Sequence, residues 1–557
     1  MHPETHRTSE MRAVSIAPRT ALDFIRGEHG REGRETVNLK DSRRLALLTS
    51  LAAGLTMGLT GFAATEVSWN QFRGPNGSGV AESFKPPVDI DAGHLAWKQP
   101  VPAGLSSPAL SRDRIFLTAT TESNRLLTLA LDAKSGKPVW SQLAPEAPKE
   151  KVHEVNSRAT PTPYVDEGRV HVYFGAYGLL CYDFEGRELW RKPIAPPKSL
   201  YGTATSPIGY GDLLILVVDN DANLPDSKLS QSRILAFSKS TGDLVWETPR
   251  PHHRSGWSTP TIWSRQDGDE LVVLGSGRLC GYDAKTGAEK WFATGFSRET
   301  IAQPVADRDH VYAAAAMLGG VPDEQPDPEP FWKAMLHFDA NGDGKIARGE
   351  ITKDFTYPLR PELPPGHPGF GFPIPKGEAQ RIKRQNETFD NIDKDKDGFW
   401  TRDELIASLS FQRGKPVLMA VSPGGRGDVT ETHVTWRLNR TIPEIPSPVL
   451  YQGRIYMVRN GGMLSCINVA TGKLVYDERL DSAGQYSASP VIANGHLYLV
   501  SNRGMVSVVK TGDTFTAVRR YDLGEAALVT PSFDPTTLYI RTSSSLYAFR
   551  AGHGPAR

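Results

Sequence analysis

An all-β, eight-bladed propeller carrying an inserted α-helical segment is the fold class the sequence predicts, and three observations predict it. One hairpin pattern recurs along the chain. A Ser-Pro or Thr-Pro pair precedes each recurrence. The two ends of the pattern hold complementary parts of a single unit. Units of about 40–50 residues built from four short strands are propeller blades.

The hairpin is clearest at Leu129-Ala130-Leu131-Asp132-Ala133-Lys134-Ser135-Gly136-Lys137-Pro138-Val139-Trp140. An alternating apolar run ends in Asp, a Gly-bearing turn follows, and a second run closes on Trp. It recurs as Cys181-Tyr182-Asp183 with Gly186 and Trp190, and as Leu235-Ala236-Phe237 with Thr241-Gly242 and Trp246. Tyr282-Asp283 with Thr286-Gly287 and Trp291 is a further copy, and Asn468 with Thr471-Gly472 and Tyr476 is a weaker one. The closing positions run Trp97, Trp140, Trp190, Trp246, Trp291, Trp436, Tyr476 and a run near Arg519 that lacks its aromatic.

The strand-start pairs are Ser107-Pro108, Thr160-Pro161, Ser206-Pro207, Thr259-Pro260, Ser447-Pro448, Ser489-Pro490 and Thr530-Pro531, with Gln303-Pro304 as a degenerate copy. Proline has no N–H to donate, so it suits the free edge of a strand lining a central channel. One lone strand around Leu95-Ala96-Trp97-Lys98 precedes Pro108, and three follow Pro531. One plus three completes a blade and closes the ring, which removes open sheet edges. The long step between Trp291 and Trp436 marks an insertion in the fifth unit. The resulting division is 1–64 (extension and signal), 66–320 (propeller, blades 1–5), 321–415 (insertion) and 416–550 (propeller, blades 5–8).

Composition narrows the function classes. With 64 basic and 63 acidic residues the formal net charge is +1, which gives no footprint for nucleic acid. Arg43-Arg44 followed by the apolar run from Leu45 to Phe62 and the small residues Gly61 and Ala63 has the form of an export signal. The run is also near the length of a membrane anchor, so membrane attachment applies if the signal is retained. Export places the protein in the periplasm or cell envelope. The cysteines Cys181, Cys280 and Cys466 are far apart inside apolar strand runs and read as small buried residues, not as a disulfide or metal site.

The insertion carries a different pattern. Asp339-Ala340-Asn341-Gly342-Asp343-Gly344-Lys345-Ile346-Ala347-Arg348-Gly349-Glu350 fits the twelve-residue EF-hand loop. Asp393-Lys394-Asp395-Lys396-Asp397-Gly398-Phe399-Trp400-Thr401-Arg402-Asp403-Glu404 fits it again. Side-chain oxygens stand at positions 1, 3 and 5, and glycine stands at the sharp turn. Lys345 and Phe399 offer backbone carbonyls, and Glu350 and Glu404 supply the closing carboxylates. The expectation is therefore an α-helical EF-hand pair with two Ca²⁺ sites. Phe331, Met335 and Phe338, then Phe389 and Ile392, mark entering helices, and Ile351 and Leu405 open exiting ones. Trp400 stands where an aliphatic residue is usual and is expected to strain the short β-contact between the loops.

The Asp-x-x-Ser/Thr-Gly-x-x-x-Trp hairpins resemble those of pyrroloquinoline quinone (PQQ) repeat propellers, over about 66–320 and 416–550. Trp69-Asn70-Gln71-Phe72-Arg73-Gly74-Pro75 resembles the start of the mature domain in exported relatives. The resemblance implies a tryptophan docked on the neighbouring blade. It also implies either a binding scaffold or a PQQ-dependent dehydrogenase. The dehydrogenases carry an adjacent cysteine pair, which this chain lacks, so a non-catalytic propeller binding a protein or glycan is the preferred expectation. No catalytic residue is assigned. The face bearing the inter-blade connections and the second-to-third-strand loops is the candidate binding face. Its candidate residues are Asn156, Arg158, Tyr201, His253, Arg254, Trp257, Arg298 and Arg440, with Asp219, Asp221, Glu444 and Tyr486 nearby.

Overall fold

A computed structural model describes residues 68–552 apart from 149, 151, 167, 200, 221–230, 254–255, 298, 317–327, 353, 359–363, 368–369, 372–373, 376, 406–415 and 483. The export segment, Asp221, Arg254 and Arg298 lie outside the described residues. Among the described residues no helix is long and apolar enough to cross a membrane.

Eight sheets form the blades, each with four antiparallel strands, and a short parallel strand is added to blade 4 and to blade 7. Blade 1 is Ala109–Ser111, Arg114–Thr120, Leu126–Asp132 and Pro138–Leu143, and blades 2, 3, 4, 6 and 7 repeat this order. Blade 8 takes Ser532–Phe533, Thr537–Arg541 and Ser545–Arg550 from the end of the chain and Leu95–Pro100 from its beginning. The ring is thus closed by strands from both ends, as the sequence predicts. Leu95–Pro100 pairs antiparallel with Ser545–Arg550, Trp97 opposite Ala548.

Burial follows the sequence pattern. Second and third strands are apolar on both faces and buried on both, as in Leu126–Asp132 and Glu270–Gly275. Fourth strands alternate exposed and half-buried, because only one side meets protein. Neighbouring blades pack face to face through separate apolar clusters. Phe116, Val170, Phe174 and Leu180 join blades 1 and 2, and Ile215, Ile234, Leu271 and Val273 join blades 3 and 4. Full burial of each such side chain contributes about 1.5–3 kcal/mol.

A register shift interrupts every third-to-fourth strand pair, in seven of the eight blades beside the closing aromatic. The residue opposite the aromatic is small: Ala130, Cys181, Ala236, Gly281, Ala420, Cys466 and Ala548. Cys181 and Cys466 therefore hold the place that alanine holds in other blades. Burial pushes all three thiols up to about 12, far from reactive thiolates.

Blade 5 is Val305–Ala306, Val311–Ala315, Val417–Val421 and Val434–Leu438, and the insertion joins its second and third strands. The insertion has its own core of Trp332, Met335, Ile346, Phe355, Phe389, Ile392, Trp400 and Leu405. Its helices are short: Pro328–Met335, Glu378–Ile392 and a turn over 402–405. The helix expected to open at Ile351 is absent. A single 3-10 turn, Arg348–Glu350, ends there, and Ile351 is non-helical at φ −76° and ψ 82°. Tyr357-Pro358 and the further prolines at 361, 364 and 365 oppose a helix in this stretch, and Pro358 instead bridges Gly371.

Candidate functional site

Two regions concentrate polar groups: the propeller axis with its surrounding loops, and the paired loops of the insertion. At the axis, the Ser/Thr residue before six of the strand-start prolines serves as a hydrogen-bond acceptor. Ser107 N–H donates to the Thr162 hydroxyl (3.0 Å), Thr162 N–H to Ser206 (2.9 Å), and Ser206 N–H to Thr259 (3.1 Å). Gln303 N–H donates to Ser447 (2.9 Å), Ser447 N–H to Ser489 (2.9 Å), and Ser489 N–H to Thr530 (3.0 Å). A girdle of inter-blade bonds results. It corrects one expectation: Thr162-Pro163, not Thr160-Pro161, occupies the blade 2 place. Thr160 instead donates to Asn156 Oδ1 and Ser157 O within its own loop. Two consecutive Thr-Pro pairs left the choice open to sequence, and the register of Tyr164–Asp166 decides it.

The stretch Trp69–Ala81 threads the axis below this girdle. Trp69 O accepts from Leu110 N–H (2.7 Å), Asn70 O from Val165 N–H (2.8 Å), and Gly79 O from Ile492 N–H (2.7 Å). The Asn76 side chain pairs with both N–H and C=O of Ile262. Val80–Ala81 adds a parallel strand to Val491–Ala493. Each partner lies three residues past a girdle position, toward the face of the third-to-fourth-strand turns. The free inner edges of blades 1, 2 and 7 are thus met by the backbone of this stretch, and that of blade 4 by the Asn76 side chain. Arg73 is fully buried and donates to Pro448 O, while Gly77 faces Gln303. The Trp69–Pro75 motif was visible in sequence, but nothing in its composition indicated an axial plug.

The fourth-strand tryptophans reach the next blade. Trp97, Trp140, Trp190 and Trp436 donate their indole N–H to Ala133 O, Phe184 O, Lys239 O and Val469 O. Their rings lie over Gly136, Gly186, Gly242 and Gly472, and Trp246 lies over Gly287. At Gly242, φ is +72° and an added Cβ would sit 2.6 Å from the Trp190 ring, so glycine is required twice over. Trp291 departs from the pattern. Blade 5 has no Thr-Gly turn to receive it. The Trp291 indole instead covers Gly281 of its own blade and donates to Glu270 Oε2 at 2.7 Å, and Gly427–Asp428 runs parallel beside it.

On the candidate face, Asn156, Tyr201 and Trp257 come together from three successive connections. Asn156 Nδ2 donates to Tyr201 O (3.0 Å), the Tyr201 ring meets Trp257 edge-on at 5.4 Å, and Trp257 Nε1 donates to Gly202 O (2.8 Å). Arg158 binds Asn124 O and Pro148 O. These side chains brace the loops. His253 is buried beneath the face with its Nε2 3.7 Å from Cys280 Sγ, and burial, then the Arg250 charge, holds its imidazole well below the ordinary value. Arg250 itself forms a bidentate pair with Asp219 at 2.9 and 3.1 Å. Arg440 is exposed on the connection from blade 5 to blade 6, and Asn460 on blade 6 bonds Glu444.

In the insertion, Ile346–Ala347 and Phe399–Trp400 form a short antiparallel ladder joining the two loops. The ladder accommodates Trp400. Its ring is buried against Phe389 at 5.0 Å, and its N–H donates to Phe389 O at 3.0 Å. Gly344 and Gly398 take φ of +78° and +88° at the turns. Carboxylate oxygens of Asp393, Asp395 and Asp397 lie within 4.8 Å of one another. Asp393 is 5% exposed and its Oδ1 has no hydrogen-bond partner among the described residues. Glu404 closes the loop by accepting from Lys394 and Thr401 N–H. In the first loop, Asp339 accepts from Gly342, Asp343 and Gly344 N–H, Asn341 Nδ2 donates to Asp343, and Glu350 accepts from Ala340 and Ala347 N–H. Lys345 lies over the Phe399 ring at 5.2 Å.

Eight blades sharing a girdle, with indoles set on the turn glycines of their neighbours, define a propeller of the PQQ-like repeat type. The family model described as outer membrane protein assembly factor BamB matches residues 87–220, 130–321 and 420–556, and the chain belongs to this family. Among solved structures, BamB from Moraxella catarrhalis is similar at 11% identity, covering 83% of this chain and 100% of that one, with a TM-score of 0.46. The computationally designed Ika8 protein is similar at 8% identity, covering 81% and 97%, with a TM-score of 0.46. The quinohemoprotein alcohol dehydrogenase ADHIIG from Pseudomonas putida HK5 is similar at 12% identity, covering 88% and 81%, with a TM-score of 0.47. No protein with a curated description matches the chain.

Proposed function

We propose that the protein is an exported, calcium-binding propeller that holds a protein or glycan partner and does not transform it. The observation that carries the calcium reading is Asp393: one of its buried carboxylate oxygens has no partner among the described residues, and its carboxylate clusters with those of Asp395 and Asp397. A buried carboxylate oxygen left unpaired is costly, and a hard dication taking oxygen ligands removes that cost. The donor set therefore fits Ca²⁺. Asp393, Asp395, Asp397, Glu404 and the Phe399 carbonyl would hold one ion. Asp339, Asn341, Asp343, Glu350 and the Lys345 carbonyl would hold a second.

Binding is preferred to catalysis for two reasons. The axial edges of blades 1, 2 and 7 are taken by the backbone of Trp69–Ala81 and that of blade 4 by the Asn76 side chain, and the three cysteines are buried with their thiols pushed up to about 12. The family description, an assembly factor, is in keeping with a scaffold. The insertion replaces a second-to-third-strand loop, so the ordered module forms one wall over the axis and calcium tunes access to it. At ~100 times its dissociation constant the ion would stabilise the module by about 2.7 kcal/mol. Hydrogen exchange with calcium and with chelator tests both parts. Protection is expected to rise within 328–405 and around Arg158, His253 and Arg440. No change within 328–405 would contradict calcium binding, and a change confined to that module would contradict gating.

A further inference from the structure

The two loops of the insertion share a motif but not a state. In the second, Asp393 keeps one buried oxygen without a partner among the described residues, and its carboxylate lies within 4.8 Å, oxygen to oxygen, of those of Asp395 and Asp397. Its other oxygen accepts from Gly398 N–H at 3.2 Å. In the first, the corresponding Asp339 has both oxygens occupied. Oδ1 accepts from Gly342 N–H at 2.7 Å and Asp343 N–H at 3.2 Å, and Oδ2 accepts from Gly344 N–H at 2.8 Å. Asn341 turns its amide to Asp343 Oδ2 at 3.1 Å, so one oxygen of that carboxylate is already engaged. Among the described residues, three carboxylates close enough to share one metal ion stand at 393–397.

The chain leaving each loop differs in the same sense. Glu404 stands in a helical turn over 402–405 whose Leu405 is buried in the module core. Glu350 ends a 3-10 turn, and the chain after it is not helical. Four carboxylates face the second site and three face the first, and more ligand charge favours a dication.

We propose that the module fills in two stages, deepening the calcium reading above. The loop 393–404 is a preformed site that takes the first Ca²⁺ in its present geometry. The loop 339–350 is latched by its own hydrogen bonds and takes a second ion only after Asp339 and Asn341 release them. Occupation of the first stage fixes Phe399–Trp400, to which Ile346–Ala347 is paired. The second stage reaches the segment 348–358, where an exiting helix has not formed.

Terbium luminescence on the full chain reads the stages separately, because Trp400 lies within the second loop and can sensitise an ion there. Tb³⁺ titration is expected to give Trp-sensitised emission that saturates at one ion per chain. Trp400→Phe should abolish most of that emission, and Ca²⁺ should displace it. Hydrogen exchange at rising Ca²⁺ should then protect 378–405 first and 339–358 at a calcium level about tenfold higher or more. Glu350→Gln should remove only the later change, and Glu404→Gln the earlier one. Simultaneous protection of both loops, or protection of 339–358 first, overturns the two-stage inference while leaving calcium binding intact. No terbium emission and no calcium-dependent exchange in the wild-type chain overturns calcium binding itself. If Trp400→Phe fails to fold, the order of protection in the wild-type chain still decides between the outcomes.

Discussion

The backbone N–H of Ser447 donates to the hydroxyl of Ser489 at 2.9 Å, both residues being buried at the axis where blade 6 meets blade 7. The same bond links Ser107 to Thr162, Thr162 to Ser206, Ser206 to Thr259 and Ser489 to Thr530. A repeated Ser/Thr-Pro pair therefore has two physical jobs. The proline leaves no unpaired N–H on the channel edge, and the hydroxyl takes the N–H of the blade before it.

Removing that acceptor leaves a buried N–H without a partner. Ser489→Ala is expected to destabilise the chain by about 1–3 kcal/mol, whereas Ser489→Thr should change stability little. Threonine already fills the equivalent place at Thr162, Thr259 and Thr530. Denaturant melts of the two variants check this, and equal losses would remove the hydroxyl from the explanation.

The inter-blade tryptophans and turn glycines should behave as pairs. Trp190→Ala should cost about 3 kcal/mol, toward the lower end for large aromatic truncations because the ring is half-buried. Gly242→Ala should cost about 1–3 kcal/mol, since it forces a side chain into a left-handed backbone and against the Trp190 ring. The double variant should cost less than the two singles added, because they share one contact.

Arg73 and Arg250 are both fully buried but differ in what faces them. Arg250 has the Asp219 carboxylate, while Arg73 has Pro448 O, with its Nε and Nη1 unpartnered among the described residues. Burial alone brings the Arg73 guanidinium down to about 9. Arg73→Met should be neutral or stabilising by about 1 kcal/mol or more, because an apolar side chain of similar length replaces an uncompensated charge. Arg250→Met should cost about 3–5 kcal/mol by stranding Asp219. Chemical denaturation of both variants tests the contrast.

Two buried imidazoles set a pH dependence. Burial lowers His171, only partly offset by Asp166, and burial with the Arg250 and Arg278 charges lowers His253 further. The unfolded chain takes up protons on histidine as pH falls below about 6.5, while the folded chain resists. Stability is therefore full above that pH and declines below it. The melting temperature should fall between pH 7 and pH 5, and His253→Gln should flatten the slope. A slope unchanged by that variant would show that His253 is not held neutral.

Much of this fold was legible because it rests on local repetition. The Asp-turn-Gly-Trp hairpin and the strand-start proline each report a backbone constraint within a few residues, so blade number and ring closure followed from counting them. What was not legible depended on contacts distant in sequence. Trp69–Pro75 resembles the start of a mature domain, and only the pairing of Trp69–Ala81 with Leu110, Val165, Ile262 and Ile492 makes it a plug. Trp291 looked like its fellows, but its receiving turn is missing from the next blade. In sequence, Asn156, Arg158, Tyr201 and Trp257 read as binding residues because they are polar or aromatic on inter-blade connections. Asn156, Arg158 and Trp257 donate to neighbouring backbone instead, a use that sequence cannot separate from ligand contact. The missing helix after Glu350 was signalled in part by the prolines that follow.

Calorimetric titration of the full chain with Ca²⁺, alongside Glu404→Gln and Glu350→Gln, tests the central claim most directly. The wild-type chain should give saturable heat with a tighter and a weaker event, at affinities of ~10⁻⁴–10⁻³ M or tighter as in extracellular modules. Glu404→Gln should lose the tighter event, and Glu350→Gln the weaker one alone. A wild-type titration without saturable heat, or two variants that bind as the wild type does, would contradict the assignment of these loops as calcium sites.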